Sequence, residues 1–135
     1  MSAVNYIGRK TETGAEYIYC HWGGYMDENA QILYDHYDDE DKVSELLSLG
    51  DASYIEPTIK ESVFYARDRK EVKAKLITDI NSCLRPNVAS NYDLCFLWNK
   101  GEWWVSGLAN NQSYQNLPEN PWNKVANLKG EFKDE

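Results

Sequence analysis

The apolar positions of this chain alternate in some stretches and recur every three or four residues in others. Glu16-Tyr17-Ile18-Tyr19-Cys20-His21-Trp22 is dense in aromatic and β-branched residues and follows a Thr13-Gly14 turn, which predicts a strand ended by Gly23-Gly24. The short Asn5-Tyr6-Ile7-Gly8 run is placed to pair with it as a hairpin. A helix is expected from about Asp27 to Tyr37, because Ala30, Leu33, Tyr34 and Tyr37 share one face. Asp38-Asp39-Glu40-Asp41 reads as the cap and first turn of a second helix over about 39–49. That helix turns Val43, Leu46 and Leu47 inward and stops at Gly50.

Further along, Ser62-Val63-Phe64-Tyr65-Ala66 reads as a strand closed by Arg67-Asp68-Arg69-Lys70. A third helix is predicted over about 71–84, with Val72, Leu76, Ile80 and Cys83 in one stripe and Pro86 as its stop. Tyr92 to Trp98 and Glu102 to Ser106 form a hairpin around Asn99-Lys100-Gly101, read as a type I turn with a G1 bulge. Both arms are apolar on both faces, which places them centrally in a sheet. The fold expected is α+β: a mainly antiparallel sheet of about four or five strands, with about three helices on one face. Residues 1–107 would form this single domain. Residues 108–135 are rich in Asn, Gln, Pro and Ser and read as a loop-rich extension packed on it, with Trp122 as an anchor and the last residues frayed.

Charge narrows the partners. A formal net charge of −8 argues against a nucleic-acid backbone or an anionic membrane as a direct partner. It leaves room for an acidic patch facing a basic protein, for a basic pocket on an acidic body, or for solubility alone. Five Trp and ten Tyr suit a packed core and a recognition surface equally well. Cys20, Cys83 and Cys95 have no metal-like spacing and sit in apolar runs, so they read as buried thiols in a reducing compartment. No signal peptide is expected from Met1-Ser2-Ala3-Val4-Asn5, and no apolar run is long enough to span a membrane. A cytoplasmic location follows as an expectation.

Candidate chemistry concentrates in two places. At His21-Trp22-Gly23-Gly24-Tyr25 a His and two aromatics surround a turn where backbone can approach a ligand closely. Core aromatics flanking a turn that needs glycine would look the same. At Arg67 and Arg69 an extended backbone would point two guanidinium groups to one side, where they could grip a phosphate or carboxylate. Pairing with Asp68 or Glu71 is the competing reading. His21 and Cys20 are strand neighbours and point to opposite faces, so no dyad is expected. No catalytic set, metal site or cofactor motif is found.

Tyr17-Ile18-Tyr19-Cys20-His21-Trp22-Gly23-Gly24-Tyr25 resembles the signature of a family of small phage and prophage proteins. Its members carry a Tyr-Cys-His-Trp-Asp-Gly-Tyr-Pro core and then a helix ending in a His-Tyr pair, matched here by His36-Tyr37. Lys42-Val43, Leu46-Leu47, Leu49, Gly50 and Asp51 match a following helix and its end. Tyr65, Arg67, Asp68 and Arg69 match a later segment, and Gly101 to Val105 resembles the final hairpin. Gly23, Met26 and Ala66 depart from the Asp, Pro and His expected there.

The resemblance implies an accessory protein that acts in the host cytoplasm against a defence system, by stoichiometric binding. Two ways of doing so are open, and either is compatible with a homo-oligomer. In the first, His21, Trp22, Gly23, Gly24, Tyr25, Tyr65, Arg67 and Arg69 hold a small anionic nucleotide-like signal. In the second, Asp35, Asp38, Asp39, Glu40 and Asp41 occupy a basic surface of a host defence enzyme. A small hydrolase with His21 as base is a third reading.

Overall fold

The computed structural model describes residues 4–79, 94–106 and 123–125. They build an α+β fold around one mixed sheet. β1 (Asn5–Lys10) and β2 (Gly14–Cys20) form the expected antiparallel hairpin, with Tyr6 opposite Tyr19 and Ile7 opposite Ile18. β3 (Ala52–Tyr54), β4 (Val63–Phe64), β5 (Leu76–Asp79), β6 (Leu94–Asn99), β7 (Glu102–Ser106) and β8 (Asn123–Lys124) complete the sheet. The order is β4-β3-β2-β1-β6-β7-β8, with β5 pairing onto β2.

The sheet corrects the expectation of four or five mainly antiparallel strands. Eight strands are present among the described residues, and β1–β6 and β2–β3 pair in parallel. Parallel pairing needs a long crossover, and local patterns of two or three elements cannot reveal it. β6 and β7 do form an antiparallel hairpin of interior strands, with β7 next to the edge strand β8 rather than at the centre of the sheet. Its turn is tighter than expected. Asn99 pairs directly with Glu102, and Lys100 and Gly101 have φ of 55° and 79°. Two positive φ values in a two-residue loop fit a type I′ turn, whose twist matches the strands it joins.

Alternation along the strands divides the side chains into two layers. One face carries Ile7, Ile18, Cys20, Ala52, Phe64, Phe96 and Val105, which join one buried cluster with the helical residues Leu33, Tyr37, Val43, Leu46 and Leu47. The first helical segment begins as a π-helical turn, Met26–Ala30, and continues as α1 (Gln31–His36). Leu33 and Tyr37 face inward as expected, whereas Tyr34 lies exposed. α2 (Glu40–Ser48) has the expected cap, since the Asp39 side chain accepts the Lys42 N–H at 2.8 Å. Gly50 follows with φ +81°. The indole N–H groups of Trp98 and Trp103 donate to Glu40 and to the Tyr37 carbonyl, both at 2.8 Å, which ties the hairpin to the helices. The opposite face carries a smaller buried cluster of Ala15, Tyr17 and Leu97, with Tyr6 and Trp104 against it.

Two further expectations are corrected. The strand over 62–66 shrinks to Val63–Phe64, and α3 (Tyr65–Arg69) follows at once. The helix expected over 71–84 is absent from its described part. Residues 71–75 are irregular and Leu76–Asp79 is β5, antiparallel to β2. β3 reaches only Cys20 of β2, so the backbone groups from Gly14 to Tyr17 on that edge need another partner, and β5 supplies it. The stripe of Val72 and Leu76 suggested a helix, but that demand prevails over it. Residues 80–93, 107–122 and 126–135 lie outside the described residues, and with them the expectations for Ile80, Cys83, Pro86, Tyr92 and Trp122. No helix among the described residues is long and apolar enough to cross a membrane.

Two predictions follow from this packing. Burial pushes the Cys20 thiol up to about 11, and Cys95 is buried as well. A Cys83→Ser chain should therefore react with a thiol reagent only after unfolding, and fast stoichiometric labelling of the native protein would show the burial to be wrong. The second concerns Glu16. Burial alone would raise its carboxyl, but hydrogen bonds from Lys75 and Arg9 hold it below the ordinary value. A depressed folded pKa gives stability that is present above the unfolded pKa and lost as pH falls through the folded one. Glu16→Gln should thus flatten the acid limb of a stability–pH profile measured by urea denaturation. An unchanged limb would remove this carboxylate from the account.

Candidate functional site

The end of β2 is fixed by two asparagines. The Asn5 side-chain amide donates to the carbonyls of Cys20 and Trp22, each at 3.2 Å. The Asn29 amide donates to Asn5 Oδ1 and to the Trp22 carbonyl, both at 3.0 Å. Both residues are buried, so these bonds replace water that cannot reach the site. The Asn29 backbone N–H also donates to the Gly23 carbonyl at 3.0 Å. Gly23 has φ +86°, and a Cβ there would stand 2.5 Å from Asn29 Oδ1. The turn therefore needs glycine in this chain, at the position where the resemblance leads one to expect Asp.

On the face opposite the helices, polar and aromatic groups line up across three strands. The Tyr19 hydroxyl and His21 Nδ1 are 2.7 Å apart, and Tyr6 packs edge-on to Tyr19 with ring centres at 6.0 Å. Just before β3, Asp51 Oδ1 accepts the Tyr19 backbone N–H at 2.8 Å. Tyr65 starts α3 by donating its N–H to the Asp51 carbonyl at 3.2 Å. Arg69, a turn later, lies over the Tyr65 ring at 5.2 Å and reaches Ser53 Oγ at 3.4 Å. Burial raises the Tyr19 hydroxyl pKa, and Tyr65, Tyr6 and Asp51 push it in the same direction. Burial also raises the Asp51 carboxyl, against the bond from Tyr19 N–H, which favours its ionised form.

The residues singled out in the sequence separate into different places. Arg67 and Arg69 sit on a helical turn and do not project together as an extended backbone would require. Arg67 is spent on structure: it holds Asp68 through two bonds at 2.9 and 2.8 Å and donates to the Ile59 and Ser62 carbonyls. It also lies over the Phe64 ring at 5.1 Å. Bonds from Arg67 and the Phe64 N–H lower the Asp68 carboxyl. Trp22 and Gly23 instead line a cleft of about 360 Å³ with Asp27, Glu28, Tyr54 and Glu56, and neither arginine lines it. Tyr25 is exposed, and Gly24 belongs to the same turn. The pocket expected to join Trp22 and Tyr25 to both arginines is therefore not formed. β4 runs antiparallel to β3, so its last residue, Phe64, lies level with Cys20, before the Gly23-Gly24 turn.

The acidic run also has internal work. Asp39 caps α2, Asp38 pairs with Lys42 at 3.3 Å, and Glu40 accepts from Trp98 and approaches Arg9 at 3.7 Å. Asp35 accepts from Gln31, while Asp41 lies exposed in the first turn of α2. Beside the run, Tyr34, Asp38, Trp98, Glu102 and Trp103 line a second cleft of about 380 Å³.

Tyr6, Tyr19, Asp51 and Ser53 are outside the ligand set expected from the sequence, although Tyr19 and Asp51 fall in the stretches that carry the family resemblance. Tyr19 stands two residues before His21, so strand periodicity could have found it. No chemical signal in the sequence ties Asp51 or Ser53 to Tyr19 and Arg69, and they arrive there with β3. Asn29→Ala should cost about 1–3 kcal/mol, because it leaves the Trp22 and Asn5 acceptors short of a donor in a buried place. Urea denaturation checks this, and an unchanged midpoint would mean the network is not needed.

No family model matches the chain, and no curated protein or solved structure matches it.

Proposed function

We propose that the chain acts by stoichiometric binding and holds a small anionic, nucleotide-like ligand on the shelf formed by Tyr19, His21, Tyr65 and Arg69. Arg69 carries this reading. Among the described residues, the ion pairs engage Arg9, Lys42, Arg67, Lys75 and Lys124, and Arg69 is in none of them. A cation without a carboxylate, in a chain of net charge −8, is a place for an external anion. Tyr65 holds the guanidinium from one side, and Tyr19 and His21 supply aromatic faces for a base. Similarity to small phage proteins supplies the setting, an accessory protein that removes a defence signal from a host cell. Trp22 borders this shelf through its ring contact with His21 at 4.9 Å, and Arg67 lies outside it.

A second reading has its own observation. The cleft of about 380 Å³ beside the acidic run has an aromatic floor and carboxylates at Asp38 and Glu102. An acidic inhibitor of a basic protein surface would use that region with Asp35, Asp39, Glu40 and Asp41.

Calorimetry with ADP as probe tests the first reading, with mass spectrometry of any ultraviolet-absorbing molecule released on denaturing the purified protein. Arg69→Ala should weaken ADP binding by about 1–3 kcal/mol, the scale of one stacking or bidentate contact, and leave stability nearly unchanged. Arg67→Ala should instead lower Tm, because it frees Asp68 and two carbonyls. Absence of both ADP binding and a released ligand would end the nucleotide reading.

A further inference from the structure

The cleft beside Trp22 has a charge opposite to that of the Arg69 shelf. Trp22, at the end of β2, and Tyr54, in β3, are 43% and 37% exposed, although both are large and aromatic. Ile55 forms part of the lining between Tyr54 and Glu56. The π-helical turn contributes Asp27 and Glu28, and the segment after β3 contributes Glu56. Among the described residues, no Lys or Arg lines the cleft. Among the described residues none of these three carboxylates enters an ion pair, whereas Glu16, Asp38, Glu40, Asp68 and Glu102 all do.

We infer that this cleft is a docking site for an arginine side chain presented by a basic segment of a protein partner. Aromatic faces attract a cation through their quadrupole, and Trp does so best. Asp27, Glu28 and Glu56 add full negative charge, and a guanidinium can stack on Trp22 while donating to more than one carboxylate. A phosphate would be repelled from these carboxylates, so the cleft selects the opposite charge from the Arg69 shelf, which it adjoins through the edge-on contact of Trp22 with His21 at 4.9 Å between ring centres. A volume of about 360 Å³ accommodates one long side chain. The source is a protein segment, because Asp35 on α1, and Asp38 and Asp39 between α1 and α2, extend the acidic stretch beyond the cleft, although Asp38 is paired with Lys42 and Asp39 caps α2. A basic peptide would gain along that whole path, and an isolated cation only at the cleft. The wide π-helical turn sets the spacing of Asp27 and Glu28, and Asn29 in the same turn locks Trp22 through its carbonyl.

The test is a titration of the isotopically labelled full chain, followed at the indole N–H signal of Trp22, which is assigned by its loss in Trp22→Phe. The probes are acetyl-Gly-Arg-Gly-Arg-Gly-amide, the same peptide with citrulline for each arginine, and free arginine. The arginine peptide should shift the signal and saturate it. The citrulline peptide, neutral but of the same shape, should leave it in place. The double substitution Asp27→Asn with Glu56→Gln should weaken peptide binding by at least roughly tenfold while the rest of the spectrum stays native. Equal shifts with arginine and citrulline, no shift with either, or full binding by the double variant would each overturn the inference. Free arginine binding as tightly as the peptide would also overturn it, because the cleft would then select a metabolite. None of these outcomes depends on whether ADP binds at Arg69.

Discussion

The bonds between Asn5, Asn29 and the carbonyls of Cys20 and Trp22 hold the rest of the molecule in register. One asparagine comes from the first strand and the other from the π-helical turn, and they meet where the second strand stops. A buried amide left without partners would cost more than its net contribution when paired, so the arrangement tolerates little movement. It sets the angle at which the chain leaves the sheet, and hence where α1 lies on the core. Gly23 accommodates this by adopting φ +86° next to Asn29. The same contacts place Trp22 at one cleft, while His21 bonds Tyr19 and packs edge-on to the Trp22 ring at 4.9 Å.

The two faces of the sheet then have different duties. The helical face is apolar and closes the main core. The other face gathers Tyr6, Tyr19 and Ser53 from neighbouring strands with His21, Asp51 and Tyr65 from the segments that flank them. The short helix α3 separates its two arginines. Successive positions on a helix diverge by about 100° each, so Arg67 turns back to the Ile59 and Ser62 carbonyls while Arg69 turns towards Ser53. An extended backbone would have put both on one side. The helical turn makes one of them structural and leaves the other without a carboxylate.

Electrostatics sorts the surface further. An acidic chain gains nothing from an even spread of charge, and here most carboxylates near a cation are tied to it or cap a helix. Asp39 at α2 and Glu16 between Arg9 and Lys75 are of that kind. The carboxylates at the Trp22 cleft and the guanidinium of Arg69 are among the charges that enter no ion pair within the described residues. They lie on either side of the same strand end.

Within the sequence, local order was well marked. The β1–β2 hairpin, the Asp39-capped second helix with its Gly50 stop, and the β6–β7 hairpin follow from alternation, capping and turn residues, which act over a few positions. The inward set Val43, Leu46 and Leu47 was legible for the same reason, and so was the burial of Cys20 and Cys95. What tertiary structure alone decided is every pairing between distant segments. Residues 76–79 became a strand because the edge of β2 lacked a partner, although their own spacing favours a helix. β1 and β6 run parallel because a long intervening chain allows it. Asp51 and Ser53 reached Tyr19 and Arg69 only through the placement of β3. Periodicity reports which side of an element is apolar. The neighbour that covers that side, and the charge that meets it, are set by backbone groups seeking partners across the whole sheet.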